Sequence, residues 1–318
     1  MKVLQLSETT LSGSPIRLSK LLNKYSKKVE SRHLVWQSRL RDRVFDTDLV
    51  GPEISKEEVQ SWLDWSDVIC YHNRRSKLTI FKELGLEIPK KPSMFQIHSP
   101  RQSEDFSEVT SSKLPIAVIG QYHPREWPEL KFIVPNCVDI WAFDHQPIHP
   151  FLKVSHKNRN IPIVSFAPSN TTAKGWDNKG YGLVAGILKP MKLAGRVHFQ
   201  LIIKKPHAET LELKKQADLG IDEVMSGSYH MSSLEYLSMA VACMANIDAK
   251  TEKVVKDMTG CENLPWILAT SKNFGAVLRN TLNSKSYIEQ GIKSREWMEK
   301  FWSPEFLCKK YEEVYSQL

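Results

Sequence analysis

Two stretches in the second half of the chain, residues 167–175 and 227–235, combine residue types that could bind a phosphate-bearing ligand. Each is rich in small polar residues and lies between an apolar run and a helical pattern, so each predicts a strand end that opens into a helix. At a helix N-terminus, free N–H groups and the positive end of the helix dipole attract phosphate. The residues that could serve such a site are Lys174, Gly175, Ser232, Ser233 and Glu235.

The two charged residues of this set have distinct expected roles. Lys174 would place a mobile positive charge beside a diphosphate. Glu235 would lie one turn inside the second helix, where its carboxylate could accept hydrogen bonds from sugar hydroxyls. A basic group, a helix N-terminus and an acidic group at two neighbouring strand ends therefore predict a site for a nucleotide-sugar diphosphate.

Each of these residues also has an ordinary structural interpretation. Ser232 and Glu235 have the spacing of a capping box, which could exist purely to start the helix, and both roles can coexist. If Glu235 contacts the sugar, Glu235→Gln should melt almost normally and turn over slowly, because glutamine can still cap. Lys174 could simply be solvated in a polar loop.

The first half of the chain supplies two further candidates, His98 and Gly13. His98 follows the apolar segment 94–97, so it would lie at the carboxyl end of a strand and face a cleft, although it could equally cap the strand end. His72 follows another predicted strand and competes for the same role. Gly13, in the loop after the first strand, would allow close approach of the backbone to a ligand, or would serve only a turn.

Composition describes an ordinary globular protein with a basic surface. Of its 318 residues, 41% are hydrophobic and 25% charged, and the formal net charge of +8 suits an anionic partner or only a solvated surface. The five cysteines are scattered without a Cys-x-x-Cys pair, which predicts reduced thiols and neither a disulfide framework nor a zinc site. No apolar run approaches the roughly 20 residues of a membrane span, and no signal peptide is evident, so we expect a cytoplasmic protein.

The order of predicted elements indicates an α/β protein with two domains. The chain is longer than one hydrophobic core usually serves, and strands alternate with helices in two series. Parallel sheets wound in this way bind ligands at the carboxyl ends of their strands. The predicted domains cover residues 1–155 and 156–290, with the polar stretch 147–160 as the junction, followed by C-terminal helices at 291–318.

The second half of the chain resembles GT-B glycosyltransferases, in particular the large family of retaining enzymes that use nucleotide-sugar donors. In that family a strand ends before a Lys-Gly that holds the donor diphosphate, matched here by Lys174 and Gly175. A later helix begins with a Ser-x-Leu-Glu-Ala-Met-Ala-like run, matched here by residues 232–240. The family often carries two glutamates eight positions apart; Glu235 matches the second, whereas Gly227 stands at the first.

The resemblance implies two Rossmann-like domains facing a cleft, with the last helix crossing back onto the N-terminal domain. It also implies that a histidine near the position of His98 contacts the donor sugar. The function expected is transfer of a sugar from a nucleotide-diphosphate donor, with retention at the anomeric carbon and without a metal or other cofactor. The expected acceptor is a glycan or a lipid-linked carbohydrate, and peripheral contact with a membrane is compatible with the basic charge.

Two alternatives remain open from the sequence. A glycosyltransferase that modifies hydroxylated bases in DNA would suit the basic composition and the arginines of the first half, which are Arg32, Arg39, Arg41, Arg43, Arg74 and Arg75. Trp36, Trp62 and Trp65 could then stack against bases. A non-catalytic nucleotide-sugar-binding protein is the second alternative, and it is favoured by Gly227 at the position of the family's first glutamate.

Overall fold

The computed structural model describes residues 1–36, 49–50, 54–75, 79–87, 89–103, 105–143, 160–172 and 179–318. The chain divides into two compact units. One comprises Met1–Asp139 together with Pro304–Leu318, and the other comprises Ile140–Ser303. These limits differ from the sequence-based boundaries after 155 and 290, and most of the predicted junction at 147–160 lies outside the described residues.

The first unit is built on a parallel sheet in the order β3-β2-β1-β4-β5-β6-β7. Its strands are β1 (Lys2–Ser7), β2 (Glu30–Val35), β3 (Leu49–Val50), β4 (Val68–His72), β5 (Ser93–Ile97), β6 (Ile116–Ile119) and β7 (Phe132–Val134). The helices between them are α1 (Ser14–Tyr25), α2 (Lys56–Trp65), α3 (Ile80–Glu83) and α4 (Ser107–Ser111). The central strands are buried along their length, as expected for a parallel sheet covered on both faces.

The second unit repeats this architecture with a parallel sheet in the order β12-β11-β10-β8-β9. Its strands are β8 (Ile163–Phe166), β9 (His198–Leu201), β10 (Leu219–Glu223), β11 (Ala242–Ala245) and β12 (Ile267–Leu268). Its helices are α5 (Tyr181–Leu193), α6 (His207–Lys215), α7 (Met231–Ser238), α8 (Ala249–Thr259), α9 (Phe274–Ser284) and α10 (Tyr287–Phe301). The prediction of an α/β protein with two Rossmann-like units is confirmed.

The residues around two helix starts, those of α2 and α1, explain how each helix begins. Ser55 and Glu58 have the Ser-x-x-Glu spacing of a capping box, and the box is present: the Glu58 N–H donates to Ser55 Oγ at 3.1 Å, and the Ser55 N–H donates to Glu58 Oε2 at 3.0 Å. Ser14 followed by Pro15 suits an N-cap with proline in the first turn, but α1 begins one residue earlier. Its N-cap is Gly13, with φ of 80°, and Pro15 lies in the first turn. Gly13 therefore has a structural role at this turn, which only glycine adopts without strain.

The last helix, α11 (Pro304–Tyr315), belongs to the first unit, whereas α10 belongs to the second. Buried tyrosines tie α11 to the first sheet. The Tyr311 hydroxyl donates to the carbonyl of Pro135 at 2.9 Å and accepts from Gln96 Nε2 at 3.2 Å. The Tyr315 hydroxyl accepts from Gln5 Nε2 at 3.0 Å. The C-terminal helix is thus hydrogen-bonded to β1, the first strand of the chain.

All five cysteines are free thiols in buried positions. Within the part of the chain that the structure describes, no helix is long and apolar enough to cross a membrane.

Helix α10 packs tightly against the end of α7 in the second unit. Gly291 lies so close to the turn after α7 that a Cβ atom there would overlap the carbonyl oxygen of Ala240. One turn further along, the buried Arg295 guanidinium donates to the carbonyl oxygens of Ser238 and Ile140. The Ser238 carbonyl would otherwise be unsatisfied at the C-terminus of α7. Gly291 and Arg295 together hold α7 in place from its C-terminal end.

Gly291→Ala should therefore destabilise the second unit by roughly 1–3 kcal/mol, since backbone rather than a flexible side chain must move. The matched control is Gly186→Ala in α5, an exposed helical glycine with no atom within 4 Å of the added Cβ. That control should be neutral or stabilising by up to about 1 kcal/mol. Thermal melting of both variants tests the pair, and equal melting temperatures would contradict this description of α10.

Candidate functional site

The carboxyl ends of the second sheet meet at one edge because all of its strands are parallel. At this edge, β8 continues into residues 167–172 and β10 continues into residues 224–230. Two of the predicted donor-site residues, Lys174 and Gly175, lie outside the described residues. The next described residue is Lys179, just before α5.

Two adjacent carboxylates at the end of β10 organise the loop 224–230 from within. Glu223, which is buried, accepts hydrogen bonds from the N–H groups of Met225, Ser226 and Ser228 at 2.9, 2.5 and 3.2 Å. Burial raises the pKa of Glu223, and the backbone hydrogen bonds partly offset that effect. The loop is consequently held in one shape before any ligand arrives.

The neighbouring carboxylate, Asp222, fixes both sides of the same loop. It is buried and accepts from Lys179 Nζ at 2.8 Å and from the His230 N–H at 2.5 Å. Burial alone would raise the pKa of Asp222, but Lys179 and His230 outweigh it and hold that pKa well below its usual range. The ionised Asp222 therefore links the start of α5 to the N-cap of α7.

Gly227 has a physical reason to stand where the resembled family carries a glutamate. Its φ is 75°, and a Cβ atom would lie 2.6 Å from Asp248 Oδ2. Asp248 in turn caps α8, because its Oδ1 accepts from the Thr251 N–H at 2.9 Å. Both the backbone conformation and this cap therefore disfavour a side chain at position 227.

An aromatic cluster anchors the far end of the loop. The Tyr229 ring is buried, 5.0 Å from the Trp266 ring and 6.1 Å from the Trp302 ring, measured between centroids. Met225 at the tip is by contrast 60% exposed. The loop thus has a buried base and an exposed tip, an arrangement suited to presenting its tip to a ligand.

The N-terminus of α7 differs from the sequence-based expectation. The helix begins at Met231 with His230 as the N-cap, so Ser232 and Glu235 are both inside it and the predicted capping box does not form. The Ser233 hydroxyl is buried and donates to the carbonyl of His230 at 2.9 Å. Ser232 Oγ is half-buried and accepts from Lys214 Nζ at 2.8 Å.

Glu235 is part of a buried ion-pair network between α6 and α7. Its Oε2 lies 2.5 Å from Lys214 Nζ, and its Oε1 lies 2.8 Å from His207 Nε2. Burial lowers the pKa of Lys214, although the Glu235 carboxylate opposes that shift. Glu235 thus has a clear structural role, and its contact with sugar hydroxyls stays a prediction.

Sequence reasoning missed both Lys214 and His207. The two are seven residues apart on α6, a spacing that places them on one helix face. This spacing was the available signal, but nothing local indicated that the face meets Glu235.

A second set of polar residues lies at the carboxyl end of the first sheet, on neighbouring strands. His98, directly after β5, is half-buried, with its Nε2 2.8 Å from His72 Nδ1. His72 Nε2 lies 2.9 Å from Gln5 Oε1, and both His72 and Gln5 are buried. His33 Nε2 lies 2.8 Å from Ser7 Oγ. His72 and His98, which compete in the sequence-based interpretation, are therefore hydrogen-bonded to each other.

These histidines are neutral at physiological pH. Burial lowers the pKa of His33 to about 3. Burial, together with the nearby His123, lowers the pKa of His98 to about 3. The pKa of His72 is well below its usual range, again mainly through burial. Among the described residues, no group of three or more His, Cys, Asp or Glu side chains could hold a metal ion.

The arginines that favoured a DNA-binding interpretation make contacts within the first unit. Arg32 stacks over the rings of Trp62 and Trp65, at 5.1 and 4.4 Å from their centroids. Arg75 pairs with Glu108 at 2.9 Å, and Arg74 donates to the carbonyl of Asp105 at 3.0 Å. Arg39, Arg41 and Arg43 lie outside the described residues. Trp36, another proposed stacking residue, is buried and donates from Nε1 to Thr79 Oγ1.

The chain resembles known proteins in its fold rather than in its sequence. No protein-family model and no curated protein sequence matches this chain. Among solved structures, HepE of Anabaena in complex with UDP and glucose has a TM-score of 0.66 at 12% identity, with 100% of both chains covered. WaaG, a glycosyltransferase involved in lipopolysaccharide biosynthesis, has a TM-score of 0.52 at 11% identity, with 100% and 99% covered.

A third solved structure is an epimerase. The UDP-GlcNAc 2-epimerase from Neisseria meningitidis, bound to UDP-GlcNAc, has a TM-score of 0.50 at 13% identity, with 100% of both chains covered. The chain thus has a GT-B glycosyltransferase-like fold, as the resemblance implied. Structural similarity at identities this low establishes the fold, and the activity has to be argued from the site.

The network around Glu235 changes the expectation for Glu235→Gln. Because the neutral amide would leave the buried Lys214 ammonium without its carboxylate, we expect a loss of roughly 3 kcal/mol in unfolding free energy at pH 7. This loss of unfolding free energy relative to the parent should become smaller towards pH 10. The pKa of Lys214 is lower in the folded than in the unfolded chain, so the buried amine becomes neutral, and a neutral amine needs no carboxylate partner. Urea unfolding at several pH values measures this.

The matched control for that experiment is Lys214→Met with Glu235→Gln in one chain. The double variant should lose less stability than the sum of its single variants, because neither partner is left charged and alone. Parent-like stability of Glu235→Gln at pH 7 would contradict the buried ion pair.

His33 gives a separate pH-dependent prediction. Its pKa is about 3 in the folded chain and near 6.5 when unfolded, so the unfolded state binds more protons between these values and stability falls as pH falls through this range. His33→Gln should therefore reduce the slope of unfolding free energy against pH, below pH 6.5, by up to about 1.4 kcal/mol per pH unit. Urea unfolding between pH 7.5 and 5 tests this, with the exposed His198→Gln as control. An unchanged slope in His33→Gln would disprove it.

Proposed function

We propose that this protein is a glycosyltransferase that transfers a sugar from a nucleotide-diphosphate donor to an acceptor hydroxyl. The observation that carries the proposal is the loop 224–230, which two buried carboxylates hold in one conformation at the N-terminus of α7. It lies at the carboxyl edge of a parallel sheet, where this class of fold binds ligands. HepE, which has the same overall fold, was solved with UDP-glucose.

The chemistry follows from where charge develops. As the glycosidic bond to the diphosphate breaks, negative charge grows on the departing phosphate oxygen. Fixed N–H dipoles at a helix N-terminus and a nearby ammonium stabilise that charge without reorganising. In this proposal the N-terminus of α7 supplies the dipoles, Gly175 allows close backbone approach, and Lys174 supplies the ammonium.

We propose that transfer proceeds with retention, which agrees with the chemistry of the first-unit histidines. An inverting transfer needs a base that takes the proton from the acceptor hydroxyl. His98 and His72 have pKa values far below neutrality, so they are weak bases. Same-face substitution, in which the leaving phosphate itself accepts the proton, does not require them to ionise.

We place a glycan or lipid-linked carbohydrate first among acceptors. The described arginines that would favour DNA are occupied by Trp62, Trp65 and Glu108, which supports putting the DNA-modifying alternative second. A non-catalytic binding protein ranks below both. Gly227, the feature that favoured it, is accounted for by its positive φ and by the Asp248 cap.

A nucleotide-sugar epimerase is a further candidate, favoured by the likeness to the Neisseria enzyme. The two activities differ in their products. Incubation with a panel of nucleotide sugars, with and without glycan acceptors, should yield free nucleotide diphosphate and glycosylated acceptor. Release of an epimerised sugar without acceptor would instead identify an epimerase, and the absence of any product with bound donor would favour the binding protein.

Lys174→Ala should weaken binding of the nucleotide diphosphate and reduce turnover by at least about tenfold, because a charge-assisted contact contributes on the order of 1.5–3 kcal/mol. Calorimetry with UDP and product formation measure the two effects. Lys192→Ala, an exposed lysine in the last turn of α5, is the matched control and should change neither. Unchanged binding and rate in Lys174→Ala would remove this lysine from the site.

A further inference from the structure

The polar residues at the carboxyl edge of the first sheet form a continuous hydrogen-bonded chain from α11 to His98. Gln5 Nε2 donates to the Tyr315 hydroxyl at 3.0 Å and to Ser31 Oγ at 3.2 Å. The Gln5 amide is buried, and in this orientation its Oε1 faces His72 Nε2 at 2.9 Å. An amide oxygen only accepts hydrogen bonds, so with the amide oriented in this way His72 Nε2 carries the proton.

The protonation of His72 then determines that of His98. A neutral imidazole has one N–H, and in His72 it is used towards Gln5. Its Nδ1 is therefore an acceptor, and the contact of 2.8 Å to His98 Nε2 requires that His98 donates from Nε2. The remaining nitrogen of His98, Nδ1, must be the unprotonated one. Within the described residues it has no protein partner, and the His98 side chain is half-buried rather than enclosed.

The backbone also holds His98 in position. Asn73 adopts a left-handed conformation with φ of 66°, and its side-chain oxygen accepts from the His98 N–H at 2.8 Å. Its amide nitrogen donates to Ser99 Oγ at 2.9 Å. This conformation is uncommon for a residue other than glycine. The Asn73 side chain hydrogen-bonds to both of the residues that directly follow β5. Ring orientation and tautomer of His98 are thus both imposed from β4.

We propose that Gln5 and His72 are positioning residues that lock His98 as the Nε2–H tautomer, so that its Nδ1 is presented as a fixed hydrogen-bond acceptor for a sugar hydroxyl. This inference rests on the proposed function for the identity of the ligand. The low pKa of His98 agrees with it, because such an imidazole accepts a hydrogen bond without taking the proton. His98 Nδ1 therefore accepts a hydrogen bond from the hydroxyl without removing its proton.

The same geometry disfavours other ligand groups at this position. A carboxylate or phosphate oxygen would face the lone pair of Nδ1 and be repelled, whereas a hydroxyl can rotate its hydrogen towards it. A site designed around a hydroxyl rejects analogues that lack it, because its polar atom is then left unpaired. His98 would accordingly select a hydroxyl over a deoxy position on the sugar.

The direct test is the protonation of each imidazole nitrogen in the full chain, measured by NMR with ¹⁵N-labelled histidine. The expected spectrum has His98 protonated on Nε2 and unprotonated on Nδ1 at neutral pH. His98 protonated on Nδ1 would overturn the proposal, whether or not the protein transfers sugar. Saturation with the UDP-sugar that calorimetry selects should shift the Nδ1 resonance without protonating it. A bound donor that leaves this resonance unmoved would also overturn it.

Two variants of His72 separate positioning from mere packing. In His72→Asn, the amide oxygen can replace Nδ1 as acceptor, so the tautomer of His98 and most of the rate should remain. His72→Leu removes that acceptor, so His98 should populate both tautomers and kcat should fall about tenfold with little change in donor KM. Tyr311→Phe removes an equally buried hydroxyl on α11 and should alter neither.

The outcomes distinguish this inference from the proposed function. An unchanged His98 tautomer in His72→Leu would refute the positioning role, and loss of the tautomer in His72→Asn would do the same. If His72→Leu does not fold, the parent spectrum and His72→Asn still decide the question. If no nucleotide sugar binds, the proposed function fails, whereas the tautomer of His98 is still decided by the spectrum alone.

Discussion

The site in the second unit depends on two buried carboxylates at the end of β10. Asp222 and Glu223 are adjacent, fully or nearly fully buried, and would be costly unless every oxygen found a donor. The chain satisfies them with Lys179 and with backbone N–H groups of the following loop. Because the loop supplies these donors, the desolvation cost of the two carboxylates restrains the loop to the conformation that pairs them.

The same logic extends to the helices behind the loop. Lys214 and Glu235 are each unfavourable alone in the interior, so their ion pair fixes the distance between α6 and α7. Gly291 and Arg295 hold the other end of α7. The N-terminus of α7 is therefore held by buried polar contacts on several sides. A helix N-terminus intended to stabilise a departing phosphate benefits from such rigidity, because dipoles that do not reorganise stabilise charge most effectively.

In the first unit, neutral groups take the place of charges. Gln5, His72 and His98 form a chain in which each hydrogen bond dictates the direction of the next, and no member needs to ionise. Burial keeps the histidines neutral, and Tyr315 from the C-terminal helix completes the chain. A buried polar network of this kind favours one conformation, since each side chain is held by hydrogen bonds to its neighbours. The two units thus use different chemistry, ionic in one and neutral in the other, to fix the groups at their sheet edges.

Much of the local structure was predictable from sequence. The strands at 116–119 and 198–201, the capping box of Ser55 and Glu58, and the break before Pro304 follow from apolar periodicity and from the chemistry of caps and proline. The parallel α/β class follows from the alternation of such elements. The start of α7 did not follow, because residues with a Ser-x-x-Glu spacing can also lie inside a helix that starts two residues earlier.

The sequence by itself determined which residue types stand at the strand ends, and hence that polar groups would gather at the sheet edges. Only the tertiary structure decided how those groups pair. Glu235 meets Lys214, 21 residues away, and Gln5 meets Tyr315, 310 residues away. Such pairings arise because a buried charge or amide must find a partner in space, wherever the packing of whole elements places one. Residue spacing along the chain reports local geometry, and it carries no record of which helix face will be buried against which strand end.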